Sequence, residues 1–193
     1  MKIGVLALQG AFAEHISVLQ KLGVEAVEVK LPEQLDGLDG LIIPGGESTT
    51  FSILMKAYGF ADKIAHLAKN NFPIFGTCAG MIMLANGLSN NGGVETVGVM
   101  AIKVKRNAFG RQVDSFEADL KISVLGEEPF PGVFIRAPQI ESVGKNCEAL
   151  ATLDDGQVVA VRQGKLLATA FHPELTGDTR LHQYFLDIVS GKR

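Results

Sequence analysis

Residues 73–81 read Pro73-Ile74-Phe75-Gly76-Thr77-Cys78-Ala79-Gly80-Met81. Ile74 and Phe75 open a short apolar strand, and the run from Ala79 to about Ala85 has helical character. Between them lies Gly-x-Cys-x-Gly, the cysteine form of a nucleophile elbow. A chain that turns so sharply from strand to helix needs Gly or small residues beside the turn. The elbow lifts the Cys78 sulfur to the C-terminal edge of a sheet, where ligands bind in open α/β folds. It also sets the sulfur near the positive end of the next helix, which favours thiolate. A buried core thiol is the competing reading of Cys78, since free cysteines are among the most buried residues.

Toward the N-terminus, residues 2–8 read as a buried strand. Residues 11–22 read as a helix, with Phe12, Ile16 and Leu19 at helical spacing, and 24–30 as a second strand. Residues 40–43 form a third strand that ends in Pro44-Gly45-Gly46. Ser48 opens a helix to about Tyr58, stopped by Gly59, and 61–70 forms another. Past the elbow, short strands are expected over 97–105, 112–125, 132–135, 140–143, 149–153, 158–162 and 165–170. Asp154-Asp155-Gly156 and Gln163-Gly164 supply hairpin turns, and a helix closes the chain over about 178–189. This order predicts one α/β domain over 1–193: a three-layer open mixed sheet, mostly parallel, flanked by helices.

The chain has 193 residues, 47% hydrophobic and 20% charged, so it can bury a core and is not a disordered chain. A net charge of -3 without a basic stripe speaks against a nucleic-acid partner. The apolar stretch around 72–85 is broken by Pro73, Gly76, Thr77 and Gly80, so no membrane span is expected and the compartment reads as cytoplasmic. Two cysteines make a disulfide scaffold implausible, and no Cys or His spacing suggests a metal. No cofactor is expected. Cys147 lacks the flanking glycines and strand context of an elbow and reads as structural.

A cysteine nucleophile needs an imidazole to exchange its proton, and the imidazole needs a third group to hold its tautomer. His172-Pro173-Glu174 follows the strand over 165–170. In an extended segment restrained by Pro173, side chains two apart share a side, so Glu174 can reach one ring nitrogen while the other faces the sulfur. His-Pro is also a common turn, and the order Cys78, His172, Glu174 at strand ends is what raises the pair above that. His15, His66 and His182 fall inside expected helices and read as surface or helix-face residues. Attack on a carboxamide creates an oxyanion that needs preplaced N–H donors. Gly46 or Glu47 can supply one from the Gly-rich turn, and Ala79 the other. Ser48 there can equally be an ordinary helix cap. Arg106 and Arg136 lie at strand ends, where each is a surface charge or a clamp for a substrate carboxylate.

Taken together, Gly76-Thr77-Cys78-Ala79-Gly80 and His172-Pro173-Glu174 resemble the triad-type (class I) glutamine amidotransferases, whose fold is flavodoxin-like. Residues 4–10, Gly45-Gly46-Glu47-Ser48-Thr49-Thr50, Arg106-Asn107-Ala108-Phe109-Gly110 and Phe134-Ile135-Arg136-Ala137-Pro138 resemble, within that family, the glutaminases that serve pyridoxal 5'-phosphate synthases. The resemblance covers nearly the whole chain. It implies Cys78 as nucleophile with His172 and Glu174 as its relay, and L-glutamine held by Gly46, Glu47, Ser48, Arg106, Ile135 and Arg136. It implies an oxyanion hole at Gly46 and Ala79. It further implies, as partner, a dodecameric synthase core that joins ribose 5-phosphate, glyceraldehyde 3-phosphate and ammonia, with glutaminase activity dependent on docking. The glutaminase of another synthase, such as that for imidazole glycerol phosphate, is the alternative closest in chemistry. A non-catalytic binding protein on the same scaffold and an elbow-cysteine peptidase are the others.

Overall fold

The computed structural model describes residues 1–90, 92–106 and 115–193. Strand β1 (Lys2–Leu6) leads through helix α1 (Phe12–Lys21) to β2 (Glu25–Val29). A short 3-10 turn at Pro32–Leu35 precedes β3 (Gly40–Ile43). Helices α2 (Ser48–Ala57) and α3 (Phe60–Lys69) return the chain to β4 (Ile74–Thr77), which runs into α4 (Ala79–Leu84). Then come β5 (Ala85–Ser89), β6 (Met100–Lys105), β7 (Ser115–Leu120), β8 (Phe130–Ile135), β9 (Gln139–Val143), β10 (Glu148–Thr152), β11 (Val158–Gln163) and β12 (Leu166–Thr169). Helix α5 (Arg180–Val189) closes the chain.

The main sheet is seven-stranded, ordered β10-β11-β12-β4-β3-β1-β2. From β12 to β2 its neighbours run parallel, while β10-β11-β12 is an antiparallel edge. The central strands β3, β4 and β12 are buried throughout, as expected where helices cover both faces. Alternation along β4 assigns those faces. Phe75 points to α1 and α5, where its ring meets His15, His182 and Phe185. Gly76 points to α4, where an added methyl would strike Gly80 and Leu84. The three-layer, mostly parallel arrangement is therefore the one the sequence predicts.

The second half departs from expectation in its partitioning. Among the described residues of this half, β10 to β12 join the main sheet, while β5-β6-β9 and β7-β8 form separate small sheets. The helix expected to reach Ala85 ends at Leu84. Ala85 turns to extended geometry and begins a ladder in register with Met100. The strand expected over 112–125 stops at Leu120 and gives way to a 3-10 turn at Ser123–Leu125; its first residues, 112–114, lie outside the described residues. So do 107–110 of the Arg106-Asn107-Ala108-Phe109-Gly110 motif. No helix among the described residues is long and apolar enough to cross a membrane.

Candidate active site

The elbow forms as the motif requires. Cys78 sits at φ 48° and ψ −105°, a backbone region costly for a residue with a Cβ and typical of strained functional positions. Its N–H donates to the Thr169 carbonyl at 2.8 Å, so the β4–β12 ladder extends one residue past the strand and pins the turn. Gly80 allows α4 to lie on β3, because a methyl there would run into the Ile43 carbonyl.

β12 delivers the second group. Thr169 is in register with Thr77, and His172 lies three residues beyond it. The His172 N–H donates to the Val133 carbonyl on β8 at 2.8 Å, which fixes its approach. The ring shares the cavity wall with the Cys78 sulfur, whose own hydrogen bond runs to the Ile135 carbonyl at 3.9 Å, and its Nδ1 stands 2.7 Å from Glu174 Oε1. Burial alone would lower the His172 pKa. Its interactions with Cys78 and Glu174, and their negative charge, outweigh that and push it up to about 10. Cys78, His172 and Glu174 are 6%, 7% and 5% exposed, so this charge pairing is poorly screened. The extended geometry expected across Pro173 is corrected: Pro173–Leu175 is a 3-10 turn. The contact arises from that tight turn rather than from strand alternation.

A cavity of about 460 Å³ opens above the sulfur. Gly46, Glu47, Ser48, Ala79, Arg106, Ile135 and Arg136 all line it with Cys78 and His172, while Glu174 stands behind the imidazole. Gly45 lies against His172 so closely that an added methyl would enter the ring. The helix cap at this junction is Glu47, not Ser48. Its carboxylate accepts from Thr49 N at 3.0 Å and from Thr50 N at 2.7 Å. Desolvation would raise the Glu47 pKa, but these N–H donors and the Thr50 hydroxyl hold it down at about 2. Arg106 Nη2 stands 3.6 Å from that carboxylate and donates to Thr49 Oγ1 at 3.0 Å. Of the two candidate donors in the Gly-rich turn, the Glu47 N–H is engaged by Gln9 Oε1 at 3.2 Å, and Gln9 Nε2 donates back to the Glu47 carbonyl at 3.0 Å. Ala79 opens α4, where a helix has no internal acceptor for its first N–H groups. Arg136 is a further non-glycine residue at positive φ, 43°, on the cavity wall.

Two residues that sequence reasoning placed on helix surfaces belong to this site. His15 and His182 are fully buried. His15 Nδ1 lies 2.9 Å from His182 Nε2, and His15 Nε2 lies 3.1 Å from Thr77 Oγ1 and 3.4 Å from Glu174 Oε2. The signal was available. His15 falls three residues after Phe12 and four before Leu19, within the apolar stripe of α1, and His182 holds the same place beside Leu181 and Phe185 on α5. His66 is exposed, as expected, and accepts from Asn70 near the end of α3. Cys147 is half-buried against Gln163 Oε1 at 3.0 Å, and burial raises its thiol pKa, in keeping with a structural role.

An elbow cysteine beside a carboxylate-held imidazole, at the edge of a mostly parallel sheet, is the arrangement of the α/β glutamine amidotransferase class. A solved structure described as a glutamine amidotransferase superposes with a TM-score of 0.93 at 49% identity, covering 98% of this chain and 100% of that one. A Thermoplasma acidophilum structure matches at 0.70 with 21% identity and bears on the fold alone. The model of the SNO glutamine amidotransferase family matches residues 5–190, and the chain belongs to that family. Among curated relatives, a Moorella thermoacetica protein is 58% identical over 98% of this chain and 100% of its own length. A Dehalococcoides mccartyi protein is 59% identical over 98% and 97%. Both are named pyridoxal 5'-phosphate synthase subunit PdxT.

Proposed function

We propose that this chain is the glutaminase subunit of a pyridoxal 5'-phosphate synthase. A single domain over 1–193 hydrolyses L-glutamine to L-glutamate and ammonia through a thioester on Cys78. The observation that carries this reading is the convergence of the Cys78 sulfur, the His172 ring and the Glu174 carboxylate beneath one cavity. The high identity to the two named subunits supports the choice of synthase.

The Cys78 thiolate attacks the side-chain carbonyl carbon of glutamine, and the oxyanion is met by N–H groups of Ala79 and Gly46. The protonated His172 gives its proton to the departing nitrogen, which leaves as ammonia and a glutamyl thioester. Water then attacks the thioester, with His172 taking its proton, and glutamate leaves as the thiolate is restored. Glu174 holds the His172 Nδ1–H throughout. Arg106 and Arg136 face the α-carboxylate of the substrate, with Glu47, Ser48 and Ile135 completing the pocket. Neutral ammonia is a nucleophile that bulk water would protonate. It is passed in a cytoplasmic hetero-oligomer to the synthase subunit. The test is glutamate release with the synthase present: Cys78→Ala abolishes it, and continued hydrolysis in that variant would end the proposal.

A further inference from the structure

We propose that His15 is a positioning residue for this reaction: its Nε2–H is directed at the outer oxygen of Glu174 and sets the carboxylate that holds His172. The inference rests on the roles given above to Cys78, His172 and Glu174.

Glu174 is buried with both oxygens out of water, and Oε1 is taken by His172. Oε2 makes no hydrogen bond of ordinary geometry, and His15 Nε2 stands 3.4 Å from it. A buried carboxylate oxygen left without a donor is costly, and a second donor also stops the carboxylate from swinging. The tautomer of His15 decides whether it is that donor.

Two proton arrangements fit the His15–His182 contact. In one, Thr77 Oγ1 donates to a bare His15 Nε2 and His15 Nδ1–H donates to His182 Nε2. The His15 lone pair then lies near the Glu174 oxygen, which has no donor, and His182 Nδ1–H is a buried donor without an acceptor. In the other, His182 Nε2–H donates to His15 Nδ1, and His15 Nε2–H lies between Thr77 Oγ1 and Glu174 Oε2. The Thr77 hydroxyl proton then has no acceptor among the described residues, and one lone pair, on His182 Nδ1, is unused. Each arrangement leaves one buried donor unpaired, but only the first also sets a lone pair against the buried Glu174 oxygen and leaves that charged acceptor without a donor, so the second prevails. His15 must be neutral in it. Burial, then the nearness of His182 and His172, holds its pKa well below the ordinary histidine value. The titratable groups facing this cluster are His182, Glu174, His172 and, beyond it, Cys78. Together they form one file from the core to the sulfur, in which His182 fixes His15, His15 fixes Glu174, and Glu174 fixes His172.

Two substitutions of similar size separate this role from packing. In His15→Gln the side-chain amide reaches the former Nε2 position, whereas in His15→Asn it reaches only the Nδ1 position. With the synthase present, His15→Asn is expected to lower kcat for glutamate release by about 10- to 100-fold, with KM for glutamine within about twofold. His15→Gln is expected to stay within about fivefold of the parent. Equal activity in the two would overturn the proposal. Nitrogen NMR of the unaltered protein gives a second measurement that needs no variant to fold. It should show His15 with a proton on Nε2 and a bare Nδ1, and the opposite tautomer would overturn the proposal. Activity surviving in a parallel Cys78→Ala sample would instead remove the nucleophile assignment, a separate failure.

Discussion

At residue scale, the site is governed by how closely backbone and side chains approach one another. Gly45 is the sharpest case, since it borders the His172 ring with no room for a methyl group. Gly45→Ala must turn the imidazole away from the sulfur. Overpacking of this kind costs about 1–3 kcal/mol of stability, while misplacing a catalytic group costs about 100-fold in rate. Glutamate release should therefore collapse in a variant that still unfolds cooperatively in urea, and release within twofold of the parent would contradict the geometry. The charge on His172 is a second consequence. Held up to about 10 by Cys78 and Glu174, its ring should show no titration by proton NMR across the neutral range. Cys78→Ala removes one of those supports, and the titration should move down toward ordinary histidine values. Cys78, His172 and Glu174 were legible in sequence because each motif is local: a glycine-flanked turn and two residues straddling a proline. Gln9 gripping the Glu47 peptide was not legible, since nothing in residues 9 or 47 alone encodes a contact across 38 positions.

At the scale of elements, α1 and α5 each bury a neutral histidine. Burial is the first cause for both, and it brings His182 to about 4 and His15 well below its ordinary value. As pH falls below about 6.5 the unfolded chain takes up protons that the folded chain refuses, so stability present above that pH is lost on acidification. Each histidine adds a slope of up to about 1.4 kcal/mol per pH unit. His172, protonated in both states there, adds none. Urea unfolding of His182→Gln should accordingly show a pH slope shallower by about 1 kcal/mol per unit near pH 5 than the parent; identical slopes would show that His182 is charged when folded. Helix periodicity places both histidines on inward stripes, but it cannot say that the two stripes meet, because α1 and α5 lie at opposite ends of the chain. The boundary at Ala85 was illegible for another reason. Met81-Ile82-Met83-Leu84 has ample helix propensity, and it is the ladder with β6, a tertiary contact, that converts the next five residues to strand.

At the scale of the molecule, the mostly parallel core follows from the alternation of apolar strands and amphipathic helices before residue 85, and it was read correctly. The later strands alternate too weakly to say which sheet each joins, so their division among three sheets emerged only in three dimensions. For the assembled enzyme, glutamate release should rise by at least about tenfold when the synthase is added, since in this structure Gln9 grips both the N–H and the carbonyl of Glu47 and so restrains the turn that must present the neighbouring Gly46 N–H to the oxyanion. An unchanged rate would show the isolated subunit to be fully competent.

The matching of Thr77 with Thr169 across neighbouring strands has an evolutionary consequence. Sulfur and imidazole are spaced by the pitch of a hydrogen-bonded ladder, not by the ninety-odd residues that separate them along the chain. Apart from β8, which holds the His172 N–H, and the cavity residues Arg106, Ile135 and Arg136, segments inserted, shortened or exchanged within that interval leave the reacting pair undisturbed. Exposed turns there, such as Asp154-Asp155-Gly156 between β10 and β11, are thus open to remodelling toward new assemblies while the chemistry is inherited intact.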